Sequence, residues 1–338
     1  MSRHKREPGM LPRPLALLGA LLLATATAVA IRMLPAGAVS PSRPPAARPP
    51  ATPAPLPAQA GEPPAAFVGF VGFVDLARQP GFDLPAESRR TGVRRYALGH
   101  LVAGGDGCTP RWSGQAGPRR SPMAGRLARL RAMGGDAAPV LGGPGGRELA
   151  AACTRPGGLS AAYRRVVGAF DAAELAFEVR DSADRGAVLR RARAIQAVQR
   201  ERRLRVSFTL PLRHDGLTPG DVAMLRATRQ AGAEVATVNL LAPIEPGTTR
   251  GARLGRVADA VRAAGEQIAR AQGLAEPGEA WRRIALTPVL AGRDDLSELD
   301  ARKLAAYAAH HGLAWLSLRG VTPEPDVSRI LWRTSPYR

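Results

Sequence analysis

Residues 173–211 read AELAFEVRDSADRGAVLRRARAIQAVQRERRLRVSFTLP. Two short apolar runs, Leu175–Val179 and Val206–Leu210, flank a longer amphipathic stretch, Asp184–Arg203. A strand, a helix and a second strand in this order form a crossover unit, which joins parallel strands. The same alternation repeats on both sides. Further candidate strands are Phe70–Val74, Tyr96–Val102, Ala138–Leu141, Val235–Leu241, Ile284–Val289 and Ala314–Leu318. Candidate helices between them are Met123–Met133, Leu159–Phe170, Asp221–Ala231, Ala252–Gln272 and Ser297–His311. Eight strands alternating with helices predict an α/β fold on a parallel sheet, and eight repeats favour closure into a (β/α)8 TIM barrel. The strand count alone leaves an open doubly wound sheet as the alternative.

The N-terminal side reads differently. A leader carrying Arg3, Lys5, Arg6 and Arg13 precedes an uncharged run from Leu15 to Ile31, the pattern of a secretory signal or a short membrane anchor. Residues 35–65 are dense in proline and lack apolar periodicity, as an extended disordered linker would. The expected organisation is therefore a signal peptide or anchor at 1–34, a linker at 35–65 and one folded domain at 66–338. The basic leader places the bulk of the chain outside the cytoplasm, secreted or held at the cell membrane.

Composition narrows the function. Hydrophobic residues make up 45% of the 338 positions, enough for a large core. Two cysteines exclude multi-cysteine zinc or iron–sulfur sites, and no cofactor is expected. The net charge of +20 favours anionic partners such as an anionic cell-envelope polymer. Yet only Lys5 and Lys303 are lysines, so the arginine excess, with 37 Gly and 31 Pro, also reads as a compositional bias. No nucleic-acid module is recognisable, so nucleic acid is not an expected partner.

Several short stretches occur in an order that resembles one family. They are Gly104–Trp112 (GGDGCTPRW), Gly142-Gly143 with Glu148-Leu149 before Cys153, Ser207–Pro211 (SFTLP), Val238-Asn239, Thr287-Pro288 and Gly312–Ser317 (GLAWLS). Together they resemble bacterial chitinase-like proteins of glycoside hydrolase family 18. The resemblance implies a (β/α)8 barrel with its cleft at the C-terminal strand ends. It also implies a polysaccharide ligand and, for an exported protein, a disulfide between Cys108 and Cys153.

In that family the fourth strand carries acidic residues at set spacing, ending in the glutamate that protonates the departing glycosidic oxygen. The aspartate before it orients the sugar's own acetamido nucleophile, an exception to the two-carboxylate rule. On this chain the four positions are expected at Ala173, Ala176, Glu178 and Arg180, leaving Glu178 as the best catalytic candidate. An arginine in the general acid's place would not release a proton at physiological pH. Glu178 and Arg180 are expected to pair across the barrel mouth, with Asp181 or Glu174 as alternative relocated acids. Elsewhere in the cleft, Pro243-Ile244-Glu245 stands for a Met-Asp-Tyr-like element, Arg319 for a tryptophan floor, and Val140 for a serine. Asn239, Glu245, Trp315 and Arg319 are the candidate substrate-binding residues, and no metal site is expected. These losses point to a chitinase-like barrel retired from hydrolysis and serving as an envelope binding or scaffold module. An active glycosidase with a displaced carboxylate is the alternative.

Other features read as structure. Pro139 should shorten or displace the third strand. Leu141–Gly146 lacks the ending of a phosphate loop. His100 and His214 lack partners at ligand spacing. The arginines at 190–193 and 200–205 read as a solvated barrel exterior.

Overall fold

The computed structural model describes residues 69–114, 123–244 and 250–333. The leader at 1–34, the linker at 35–65 and Glu245 lie outside the described residues. Seven parallel strands follow one another around the barrel: β1 (Val71–Asp75), β2 (Arg95–Ala103), β4 (Asp136–Gly142), β5 (Glu174–Glu178), β6 (Arg205–Pro211), β7 (Thr237–Pro243) and β8 (Ile284–Leu290). A short β3 (Pro110–Trp112) folds back antiparallel onto β2.

The eighth position departs from the sequence expectation. Residues 314–318 do not form a continuous strand. Leu316 alone bridges Phe70 on one side and Leu286 on the other, and a two-residue strand β9 (Arg319–Gly320) follows. The barrel nevertheless closes there, because Val71 N–H donates to the Leu316 carbonyl at 2.8 Å and Leu316 N–H to the Gly69 carbonyl at 2.9 Å. This is the (β/α)8 TIM barrel rather than the open sheet.

Pro139 also behaves differently from expectation. β4 runs seven residues through it, with Pro139 opposite Leu98. The register between β2 and β4 shifts between Leu98 and Leu101, so the missing N–H falls where the ladder is already irregular.

The outer layer consists of α1 (Leu84–Thr91), α2 (Met123–Ala132), α3 (Leu149–Ala152), α4 (Gly158–Phe170), α5 (Arg185–Glu201), α6 (Pro219–Gln230), α7 (Arg250–Gln272), α8 (Pro277–Arg282), α9 (Glu298–His311) and α10 (Pro325–Trp332). Local chemistry explains several of their ends. Asp184 caps α5 by accepting the Ala187 N–H at 2.9 Å. Thr218 with Asp221, and Ser297 with Asp300, form reciprocal capping boxes at α6 and α9. Gly312 ends α9 in the left-handed conformation. The inner face of α5 buries Val188, Ala192, Ile195 and Val198 against the sheet.

Arg191, expected on the solvated exterior, is instead fully buried on this face. Its guanidinium meets the Glu148 carboxylate at 2.6 and 2.8 Å, a bidentate pair that compensates its charge. A disulfide joins Cys108, after β2, to Cys153, after α3. Among the described residues no helix is long and apolar enough to cross a membrane.

Candidate active site

The strand that carries the site is β5. Alternation turns Glu174, Ala176 and Glu178 into the barrel and Leu175, Phe177 and Val179 toward the helices. Glu178 is the last residue of the strand and is buried. Arg180 lies past the strand end and is exposed. Alternation aims a side chain inward only while the strand continues, so the anticipated Glu178–Arg180 pair is absent from the contacts of Glu178.

Two other side chains, Arg319 and His100, take its place. Arg319 Nη2 donates to Glu178 Oε2 at 3.0 Å, and His100 Nε2 lies 2.9 Å from the same oxygen. His100 comes from β2 and Arg319 from β9. The three side chains are nearly dry: 3% exposed for His100, 5% for Glu178 and 15% for Arg319. The Arg319 guanidinium also lies over the ring of Phe73, a cation–π contact on its other face. Phe73 and His100 approach at 5.4 Å between ring centroids, closing the wall.

The glycine pair after β4 makes this crowding possible. Gly142 and Gly143 have φ of +91° and +74°, values that residues with a Cβ rarely adopt. A Cβ on Gly143 would collide with the His100 imidazole, and one on Gly142 with the Glu178 carbonyl. Gly143 N–H donates to that same carbonyl at 2.9 Å, tying the loop to the end of β5.

Burial alone would raise the Glu178 carboxyl pKa. The His100 hydrogen bond and the Arg319 charge outweigh it, and the carboxyl is held below the ordinary carboxylate value. Burial lowers the Arg319 guanidinium somewhat, with Glu178 opposing the shift. The site therefore holds a carboxylate paired with an arginine.

Beside it, Thr287 Oγ1 donates to Asn239 Oδ1 at 2.7 Å, and Asn239 Nδ2 to Thr209 Oγ1 at 3.3 Å. Thr209 faces Glu178 in register. Asn239 is thus buried in a side-chain relay across three strands. On the N-terminal side of the Glu178 pair, small side chains (Ala97, Ala138, Ala176, Ser207) leave a cavity of about 150 Å³ where bulky layers normally fill a barrel. Ala173, Ala176, Asn239, Trp315 and Arg319 all line it. Trp315 sits inside the barrel, below the mouth. Glu174, at the base, is bound to Arg205 at 3.2 Å and to Ser207 at 3.1 Å.

Sequence reasoning discounted His100, which lies 78 residues from its carboxylate partner. The available signal was its inward register near the C-terminal end of β2. A second signal lies in the motif spacing. Moved two residues toward the N-terminus, the same spacing falls on Asp171, Glu174, Ala176 and Glu178. Three of those four are acidic, and the glutamate is terminal.

The fold and the site are those of a closed (β/α)8 barrel with a buried glutamate at the end of its fourth parallel strand. The chain is similar over 180 residues, 51% of its length, to two curated proteins. They are a probable bifunctional chitinase/lysozyme of Escherichia coli (strain K12), 27% identical, and endochitinase 11 of Metarhizium anisopliae, 26% identical. It spans 20% and 34% of the lengths of those proteins. No family model matches it. Among solved structures, the catalytic domain of a hyperthermophilic chitinase from Pyrococcus furiosus superposes with a TM-score of 0.69 at 22% identity. It covers 81% of this chain and 99% of that one. A GH18 chitinase from Pseudoalteromonas aurantia gives 0.57 at 9% identity, over 79% of this chain and 99% of that one. The chain thus shares the barrel fold of these chitinase structures and is similar in sequence to two chitinases over 180 residues.

Proposed function

We propose that this barrel is an exported, chitinase-like glycan-binding module that no longer hydrolyses glycosidic bonds. Its ligand class is a polysaccharide containing N-acetylglucosamine or a related sugar. In this reading the shifted motif register applies. Glu178 occupies the general acid's place, Ala176 that of the orienting aspartate, and Arg180 belongs to the following loop.

The observation that carries the proposal is the 3.0 Å contact of Arg319 with the Glu178 carboxylate in a nearly dry site. A general acid must arrive protonated near the working pH. Here the arginine favours the ionised form, and one carboxylate oxygen already accepts from Arg319 and lies against His100 Nε2. The loss of a general acid costs roughly 10²–10⁴ in rate. Ala176 adds a second deficit, because a methyl group cannot orient an acetamido nucleophile. The basic leader and proline-rich stretch support export, with the barrel carried on a tether.

The test is turnover of fluorogenic N-acetylglucosamine oligomers by the purified domain. The wild type is expected to be silent. Ala176→Asp combined with Arg319→Trp is expected to gain turnover that Glu178→Gln removes. Wild-type turnover abolished by Glu178→Gln would overturn the reading and establish an active glycosidase.

A further inference from the structure

The cavity of about 150 Å³ below the Glu178 pair has its rim at the other end of the barrel. The first residues of four strands line it: Arg95 of β2, Asp136 of β4, Glu174 of β5 and Arg205 of β6, together with Arg282 just before β8. It therefore opens at the N-terminal ends of the strands, away from the mouth. Its inner end is Arg319, whose guanidinium is held by Glu178 in the nearly dry site. Side-chain size explains the opening. Ala97, Ala138 and Ala176 point inward where branched residues ordinarily fill a barrel layer. Ala97 and Ala138 stay only half-buried, although each lies two residues in from its strand end.

The walls are of two kinds. Phe73 and Trp315 supply aromatic surface, and the Trp315 indole is half-buried with no ring partner among the described residues. Ser207, Thr237 and Asn239, on the adjacent strands β6 and β7, supply hydroxyl and amide groups. The rim sets three arginines against two carboxylates, and both carboxylates are engaged. Glu174 pairs with Arg205 at 3.2 Å, and Asp136 with Arg131 at 2.9 Å. Arg95 and Arg282 make no ion pair with the described residues. Residues 63–68, which precede β1 in sequence, carry no acidic side chain, and Glu62 is the nearest acid before them. An aromatic wall, a few polar groups and uncommitted positive charge at the opening together match a small ring-bearing anion.

We propose that this cavity is a binding site for a small aromatic carboxylate, with its ring beside Trp315 and its carboxylate at the Arg95 and Arg282 rim. The ring takes the apolar space that the alanines leave; apolar cavities of about 150 Å³ take up benzene. The anionic group stays at the rim, where partly solvated arginines attract it and no unpaired charge is buried. The site opens on the face opposite the glycan cleft expected at the C-terminal strand ends, so it does not rest on the binding-module reading above.

The test is calorimetric binding of phenylacetate, and of its neutral isostere phenylacetamide, to the full chain. Phenylacetate is expected to bind, and phenylacetamide to bind about fivefold more weakly. Arg95→Gln combined with Arg282→Gln is expected to weaken phenylacetate by about fivefold and to leave phenylacetamide within about twofold. Arg203→Gln removes an exposed arginine that does not line the cavity, and is expected to change either probe by less than about twofold. Ala97→Leu and, independently, Ala138→Leu extend a side chain into the cavity. Each is expected to weaken both probes by about tenfold or more while melting no lower than wild type, because the added atoms gain contacts without overpacking. If one of the two does not fold, the other reads the same space. No binding of phenylacetate, or binding untouched by both leucine variants, would overturn the site. A lower melting temperature for both leucine variants would overturn the cavity itself, the chain's own residues then filling that space. Equal weakening by Arg203→Gln and by the double arginine variant would overturn the carboxylate assignment in favour of general charge attraction. Wild-type hydrolysis of N-acetylglucosamine oligomers would sink the preceding section's reading and leave these binding results untouched.

Discussion

Replacing Arg319 by methionine isolates the interaction on which the site depends. The substitution keeps most of the apolar stem and removes the guanidinium that lies 3.0 Å from Glu178 Oε2. Breaking a buried pair by deleting one partner costs about 3–5 kcal/mol. The lower end applies here, because the Arg319 side chain keeps 15% of its exposure and His100 still holds the carboxylate. A loss of about 3 kcal/mol corresponds to about 6–12 °C in Tm for a domain near this size.

The pH dependence carries the sharper test. In the wild type the folded-state pKa of Glu178 lies below its ordinary value of 4.5. The pair's contribution is therefore fully present above pH 4.5 and is lost as pH falls through the folded pKa. In Arg319→Met burial is less opposed, so the carboxyl takes up its proton at higher pH and sheds the penalty of an uncompensated charge. The stability gap between the two proteins should be full at neutral pH and smaller at an acid pH below the folded-state pKa of Glu178. Urea denaturation of both proteins at the two pH values measures it. A gap of the same size at both, or none at neutral pH, would refute the electrostatic account of the pair.

Three other outcomes follow from the geometry. Reduction of Cys108–Cys153, which closes a span of 45 residues, should lower unfolding stability by about 4 kcal/mol in the chain-entropy treatment; denaturant midpoints with and without reductant measure it. Gly143→Ala forces a side chain into φ +74° and against His100, and should cost about 2 kcal/mol or more in thermal melts. Thr287→Val leaves the buried Asn239 Oδ1 without its 2.7 Å donor and should cost about 1–3 kcal/mol by urea denaturation.

The barrel was legible because each strand is a short apolar run and each helix repeats apolar residues at 3.6-residue spacing, both local properties of the chain. The eighth strand was legible only in place. Residues 314–318 have the composition of a strand, but their pairing collapses to the bridge at Leu316, and that depends on what β1 and β8 present across the closure. The disulfide came from the family resemblance. The site was less accessible. Glu178 stood out as an acid on an apolar strand, but its partners come from 78 residues earlier and 141 later. Their convergence is a property of the closed barrel rather than of any motif. Arg180 misled for a related reason: period-two alternation counts residues, and the chain stops being a strand at Glu178. Arg191 looks like its solvated arginine neighbours in sequence, and only packing separates it from them.

The central claim is that Glu178 rests as a carboxylate and not as an acid with a proton to give. Carbon-13 NMR of glutamate side-chain carboxyls, with Glu178 assigned by the signal lost in Glu178→Gln, measures this directly. The account predicts a titration midpoint below the ordinary 4.5. A midpoint at or above neutrality would contradict it.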